Sequence, residues 1–339
     1  MPRPGAIAYV CAVGAACLLS APVANAAKVK DHLYGVKALG ASEAWAVGNF
    51  GAIYHTTDAG KTWAPSDSRT RSPLFSIDMV GTEGWAVGKG ALILHTSDGG
   101  ATWKEQKGAI PAEKPLFKVA AVDARTVWAV GDWGAVTVTH DGGAHWEDRS
   151  LTEDAVLYDV FFADRDHGAI SGEFGTVLTT DDGGATWTKR KTGTEKTLFG
   201  VHFATPEKGW AVGLDGLLLR TTDGGETWTV QHGETASRGL DDFGFQEALS
   251  NPGLYEVRVA GKRGVVVGDT GTILVTTDGG DSWQRFELPT KERLAWIRDV
   301  SLTPDGNGVA VGASGLSVLF DGAGILLPNG TRANPEAAP

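Results

Sequence analysis

Apolar positions in this chain come in short bursts rather than long stripes. One burst, Trp210-Ala211-Val212-Gly213, ends in glycine. A tight turn follows at Leu214-Asp215-Gly216, and a second burst runs through Leu217-Leu218-Leu219. A polar segment, Thr222-Asp223-Gly224-Gly225-Glu226-Thr227, then closes on Trp228. Bursts this short, bounded by Gly and Asp, read as strands joined by tight turns.

The same order recurs down the chain. Aligned on the turn aspartate, the copies sit at Asp58, Asp98, Asp141, Asp182, Asp223, Asp278 and, in degenerate form, Asp321, with gaps of 40, 43, 41, 41, 55 and 43 residues. The closing tryptophans are Trp63, Trp103, Trp146, Trp187, Trp228 and Trp283. Upstream of each turn lies a burst of the Trp-Ala-Val-Gly kind, opening at Trp45, Trp85, Trp128, Ala169, Trp210, Val265 and Val309. A further short strand precedes it, from Leu33-Tyr34-Gly35-Val36 to Ile297-Arg298-Asp299-Val300. Residues after each closing tryptophan supply a fourth. Four strands in each of seven repeats predict an all-β, seven-bladed β-propeller. A lone blade has two apolar faces, and stacking blades into a closed ring buries both. The closing tryptophans are expected as wedges between blades. The closing strand comes either from residues 27–32 or from residues 324–327; the sequence leaves both open.

Composition agrees. The 339 residues hold 47 Gly and 12 Trp but 2 Met. The formal net charge of −11 argues against a nucleic-acid partner and against anionic surfaces. The N-terminus reads as a secretory signal over residues 1–26: Arg3, an apolar run at residues 6–19, and the A-x-A site Ala24-Asn25-Ala26. Cys11 and Cys17 both lie inside it, so the exported chain is expected to lack disulfides. The propeller is then expected over residues 27–327, followed by a disordered tail at residues 328–339. After signal cleavage no membrane span is expected, and the location is periplasmic, or the thylakoid lumen in a photosynthetic organism. A monomer is expected.

The turn pattern S/T-x-D-x-G-x-T-W is the Asp-box, or bacterial neuraminidase repeat. Thr96-Ser97-Asp98-Gly99-Gly100-Ala101-Thr102-Trp103 shows it well. Its carboxylate can accept backbone N–H groups of its own turn, so its role is structural. A catalytic residue should occur once, not in every blade. Six such boxes with the Trp-Ala-Val-Gly units resemble the photosystem II stability and assembly factor family of seven-bladed propellers, lumenal in thylakoids and with exported bacterial relatives. That resemblance covers residues 33–327. It implies a non-enzymatic scaffold that holds a protein subunit or precursor of a membrane-associated complex, and no cofactor. Two alternatives stay open: a sialidase-like glycan hydrolase or glycan binder, and a periplasmic accessory protein of a non-photosynthetic complex. The F/Y-R-I-P signature of sialidases is absent; Arg71-Ser72-Pro73 is not it. Tyr34, Tyr158 and Tyr255 share a repeat position that is otherwise mostly Phe, which points to packing. No metal-ligand spacing occurs; His55 and His95 are repeat-equivalent.

Function on a rigid scaffold belongs to the variable loops. The blade-linking loops are expected to share a face with the turns between second and third strands, opposite the Asp-boxes. Lys189, Arg190, Lys191 and Lys196 form a candidate docking patch, and Phe243 and Phe245 in the long linker a second candidate contact. Asn49, Lys89, Asp132, Trp133, Glu173 and Asp269, in the second turns, have the chemical variety of a partner-reading rim.

Overall fold

Each repeat folds into one antiparallel sheet with its strands in chain order. The computed structural model describes residues 29–233, 251–286, 288–289, 292–322, 324–327 and 330–333. Blade 1 comprises Leu33–Ala38, Ala44–Gly48, Ile53–Thr56 and Ala64–Ser66. Six more blades follow, with innermost strands Leu74–Val80, Leu116–Ala121, Leu157–Phe162, Leu198–Phe203, Leu254–Ala260 and Ile297–Leu302. Each innermost strand packs against the next, and Leu33–Ala38 meets Ile297–Leu302, so the ring is closed. The expected seven-bladed propeller is the fold.

The last blade takes its fourth strand from Gly324–Leu326, which settles the closing strand left open above. Arg332–Ala333 adds a fifth, so regular structure enters the segment expected to be a disordered tail. Among the described residues no backbone ladder crosses between blades 7 and 1; side chains hold that seam. Asp299 Oδ2 accepts from Val36 N at 2.8 Å and Ser301 Oγ from Ala38 N at 3.0 Å. Equivalent stitches join blades 2 and 3 through Ser76 and Asp78, and blades 4 and 5 through Asp159.

The second strand of each blade is apolar on both faces because a blade lies against each. In Ala44–Gly48 and Gly209–Gly213 every residue is buried. The tryptophans act as wedges in a specific way. Trp45, Trp128 and Trp210 each lie edge-on to the closing tryptophan of the next blade: Trp103, Trp187 and Trp283, with ring centroids 6.0, 5.7 and 6.5 Å apart. The same three sit over the second box glycine of that blade. A Cβ on Gly100, Gly184 or Gly280 would fall 2.2–2.3 Å from the ring. That glycine is also left-handed, with φ of 82–86°, so no other residue type meets both demands.

The Asp-box itself is a hydrogen-bond knot. In blade 2, Thr96 Oγ1 donates to Asp98 Oδ1 at 2.7 Å and accepts from Gly100 N at 2.9 Å. Thr102 donates its N–H and its hydroxyl to the two carboxylate oxygens at 2.8 and 2.6 Å. The same knot recurs around Asp58, Asp182 and Asp223, around Asp278 with Ser282 in place of the second Thr, and around Asp141 with His145 there. These donors favour the ionised carboxylate. The side-chain bonds from Thr102, Thr186 and Thr227, then those from the backbone, bring Asp98, Asp182 and Asp223 down to about 2.

Two outcomes follow from the seams and knots. Trp210→Ala empties a fully buried wedge and should lower unfolding free energy by about 3–5 kcal/mol in a denaturant titration. Because the box aspartates are depressed in the folded state, their contribution is present above the ordinary carboxylate value. It should be lost as pH falls from about 4 through about 2. Thermal unfolding across that window should show the drop, and Asp98→Asn should make it shallower.

Candidate functional site

The chain order places the Asp-box turns on one face of the disc. The blade linkers and the turns between second and third strands lie on the other. On that second face the ring opens into a cup. Its wall is built by the second residue of each innermost strand: Tyr34, Phe75, Phe117, Tyr158, Phe199 and Tyr255 in blades 1 to 6, and Arg298 in blade 7. The aromatic rings touch in an unbroken series, with centroids 5.9, 5.6, 5.8, 5.0 and 5.4 Å apart. The Arg298 guanidinium lies 4.4 Å from the Tyr255 centroid and 5.8 Å from that of Phe199. Trp296, two residues before Arg298, stacks on Tyr34 at 5.7 Å and completes the circle. The cup encloses about 390 Å³.

Its floor is set by the next layer of the same strands. Lys118 reaches across the channel from blade 3. Its Nζ stands 2.5 Å from Glu256 in blade 6, 3.2 Å from Asp299 in blade 7 and 3.6 Å from Asp159 in blade 4. Arg258 lies against the same group, 2.6 Å from Glu256 and 3.7 Å from Asp159. Three buried carboxylates thus share two cations. Burial works against the charge on Lys118, but Asp299, Glu256 and Asp159 outweigh it and raise its pKa. For Glu256 burial dominates, and with Asp159 and Asp299 beside it the carboxyl is pushed up to about 8. One proton therefore belongs to this cluster near neutrality.

The tyrosines in the wall were expected to be packing residues. They do pack against one another, but they also line an open cavity. Burial, then Glu173, raises the pKa of Tyr158; burial, then the hydrogen bond to Asp269, raises that of Tyr255. Both are neutral phenols at physiological pH.

The candidate basic patch is dispersed. Lys189 and Arg190 lie on the outer strand Thr188–Arg190. Lys189 pairs with Glu153 at 2.7 Å, and Arg190 Nε donates to Thr179 Oγ1 at 2.7 Å. Lys196 is buried against Asp215 at 3.0 Å; Lys191 is exposed. Phe243 and Phe245 lie outside the described residues, as does the signal segment. No cluster of His, Cys, Asp or Glu suited to a metal occurs among the described residues, and no helix there is long and apolar enough to cross a membrane. Sequence reasoning missed Arg298 and Lys118. The signal was present: a lone Arg at the aromatic position, and a lone Lys at a position that is Gly or Ser in three other copies and Asp or Glu in the remaining three.

The fold and this face define an Asp-box propeller with a built cup at its channel mouth. The model of the family described as Photosynthesis system II assembly factor YCF48 matches residues 28–149, 145–197 and 191–295, and the chain belongs to that family. Solved structures share the fold. "YCF48 bound to D1 peptide" is 20% identical, with a TM-score of 0.68 over 86% of this chain and 93% of its own. YCF48 from Cyanidioschyzon merolae is 19% identical, with a TM-score of 0.66 over 91% and 97%. The GH74 xyloglucanase from Xanthomonas campestris is 12% identical, with a TM-score of 0.64 over 86% of this chain and 52% of its own. No curated protein matches the chain significantly.

The floor makes a pH prediction. A carboxyl raised in the folded state contributes stability that is complete below its unfolded value and lost as pH rises through its folded one. Between about pH 5 and about pH 9 the unfolding temperature should therefore fall, and Glu256→Gln, the neutral isostere, should flatten the decline. A wild-type profile that is level or rising across that range would contradict this account of Asp159, Glu256, Asp299, Lys118 and Arg258.

Proposed function

We propose that this protein is a non-catalytic, exported scaffold that captures a polypeptide segment of a membrane-associated complex at the channel mouth. In an organism with photosystem II that complex is photosystem II during its assembly; elsewhere it is an envelope complex. The observation that carries the reading is the cup. Six aromatic rings offer a wide apolar wall, and Arg298 stacks on Tyr255 with no carboxylate at ion-pair distance among the described residues. Such a wall takes side chains of an extended segment, and a stacked guanidinium offers its donors to an acidic or carbonyl group. Family membership supports a protein partner, and a relative of this fold has been solved with a D1 peptide. In this reading Lys191, Phe243 and Phe245 extend the docking surface beyond the cup.

A hydrolase reading fits the residues less well. Neutral, raised tyrosines are poor nucleophiles, and the floor carboxylates are already committed to Lys118, Arg258 and backbone stitches. The resemblance to a xyloglucanase is one of fold.

Affinity capture from the organism's own envelope fraction tests the proposal. The wild-type propeller should retain a membrane-complex subunit, and Arg298→Ala with Tyr255→Ala should reduce its recovery about tenfold or more, as loss of central anchors does. Undiminished capture would remove the cup from the mechanism. Turnover of an aryl glycoside that depends on Glu256 or Asp299 would replace the scaffold reading with an enzymatic one.

A further inference from the structure

The turns between second and third strands carry an observation that the cup does not explain. Each is a two-residue hairpin turn with both central residues left-handed, as at Phe50-Gly51, Trp133-Gly134, Phe174-Gly175 and Asp215-Gly216. Such turns favour Asn, Asp or Gly at the first central position. Blade 5 conforms with Asp215 and blade 2 with Gly90. Blades 1, 3 and 4 instead place Phe50, Trp133 and Phe174 there, at φ of 54, 51 and 54°. A bulky side chain in that region costs roughly 1–2 kcal/mol per residue.

Among the described residues no core packing offsets the cost. Phe50, Trp133 and Phe174 are 72, 52 and 67% exposed. Among the described residues they join no buried apolar cluster and no ring pair. Leu214, before the blade 5 turn, and Leu294, in the linker to blade 7, are exposed on the same face. Of the large apolar side chains exposed in the described structure, all but Val230 project from the linker face.

Their distribution points to the shape of what they meet. They come from blades 1, 3, 4 and 5 and from the linker entering blade 7, so they stand around the whole disc. Tips arranged that way define a plane, not a groove. A segment held in the cup reaches the tips beside it, whereas a flat surface as wide as the disc meets them together. Charge narrows the choice. Asp132 precedes Trp133, Glu173 precedes Phe174 and Asp215 follows Leu214; Lys89 is the one cation in these seven turns, and the chain carries a net charge of −11. An anionic surface is repelled, and attraction rests on the apolar tips. Trp and Phe are suited to the boundary between lipid headgroups and acyl chains.

We infer that the linker face seats on the interface of a zwitterionic lipid bilayer through Phe50, Trp133, Phe174, Leu214 and Leu294. Docked so, the cup opens toward the membrane plane. The inference stands apart from what the cup captures and survives if that reading fails.

The test uses the propeller from residue 27 onward, which carries all seven blades and omits the apolar run at residues 6–19. Phosphatidylcholine vesicles are the probe, with a second set containing phosphatidylglycerol. The wild type should co-sediment with phosphatidylcholine vesicles, and its tryptophan emission should be quenched by brominated acyl chains. The triple variant Phe50→Gly, Trp133→Gly, Phe174→Gly should lose about tenfold or more in vesicle affinity, as removal of anchoring apolar groups does. Glycine suits the left-handed turns, so this variant should unfold at no lower temperature than the wild type, which separates lost docking from lost folding. Three results would overturn the inference: no binding to phosphatidylcholine, binding that requires phosphatidylglycerol, or undiminished binding by the triple variant. Self-association of the wild type that the triple variant loses, without vesicle binding, would assign the face to a second copy of the chain instead.

Discussion

The architecture depends on one contact repeated around the ring: a tryptophan of one blade seated over a glycine of the next. Among the described residues no backbone ladder joins neighbouring blades, so side chains must make each seam. Trp45 over Gly100, Trp128 over Gly184 and Trp210 over Gly280 supply it where the pattern is complete. The glycine has two reasons to be invariant within the chain, its left-handed backbone and the missing Cβ. The aspartate before it holds the turn in the one shape that presents that glycine to the neighbour. The Asp-box and the wedge are therefore one device. Polar stitches add to it: between blades 7 and 1, where Val309 stands in place of the second-strand tryptophan, Asp299 and Ser301 reach the backbone of Val36 and Ala38.

The same geometry creates the channel and then has to fill it. Seven innermost strands bring seven equivalent positions together at each level. A residue that recurs at such a level becomes a ring, which is how six single aromatics become a wall. A charged residue at the next level faces six others across a narrow, desolvated space, and it persists only if partnered. Lys118, Arg258 and the carboxylates of Asp159, Glu256 and Asp299 are that partnership. Two of the carboxylates also stitch adjacent blades, so floor electrostatics and ring closure share atoms.

This explains what could be read in the sequence. The fold was legible because each repeat restates it: the box at Asp98, the burst at Trp85 and the strand at Leu74 imply a blade without knowledge of any other. The site was not, because it is written across repeats. Arg298 and Lys118 are unremarkable within their own strands and acquire meaning when blades 3, 6 and 7 face one another over more than a hundred residues. The basic run Lys189, Arg190, Lys191 and Lys196 shows the complementary effect. It is dense in sequence, but alternation along a strand and nearby acids dispersed it: Lys189 went to Glu153 and Lys196 to Asp215. Local charge density predicts a patch only where the backbone keeps the side chains on one side.

The division of the disc into two faces is then a mechanical consequence rather than a coincidence. Residues in the boxes answer to a turn, a neighbouring wedge and a shared seam at once, so a change there is felt by two blades. Turns on the other face answer to one hairpin. The second left-handed residue is pressed against the linker backbone, but the first has to meet the turn alone, which leaves it free to vary from Asp215 to Trp133. Freedom of that kind usually drifts toward the residues the turn prefers. Three blades have gone the other way, toward bulky rings that strain the backbone and, among the described residues, join no buried apolar cluster. A strain held without internal compensation is offset from outside, and the face bearing it is also the one on which the cup opens.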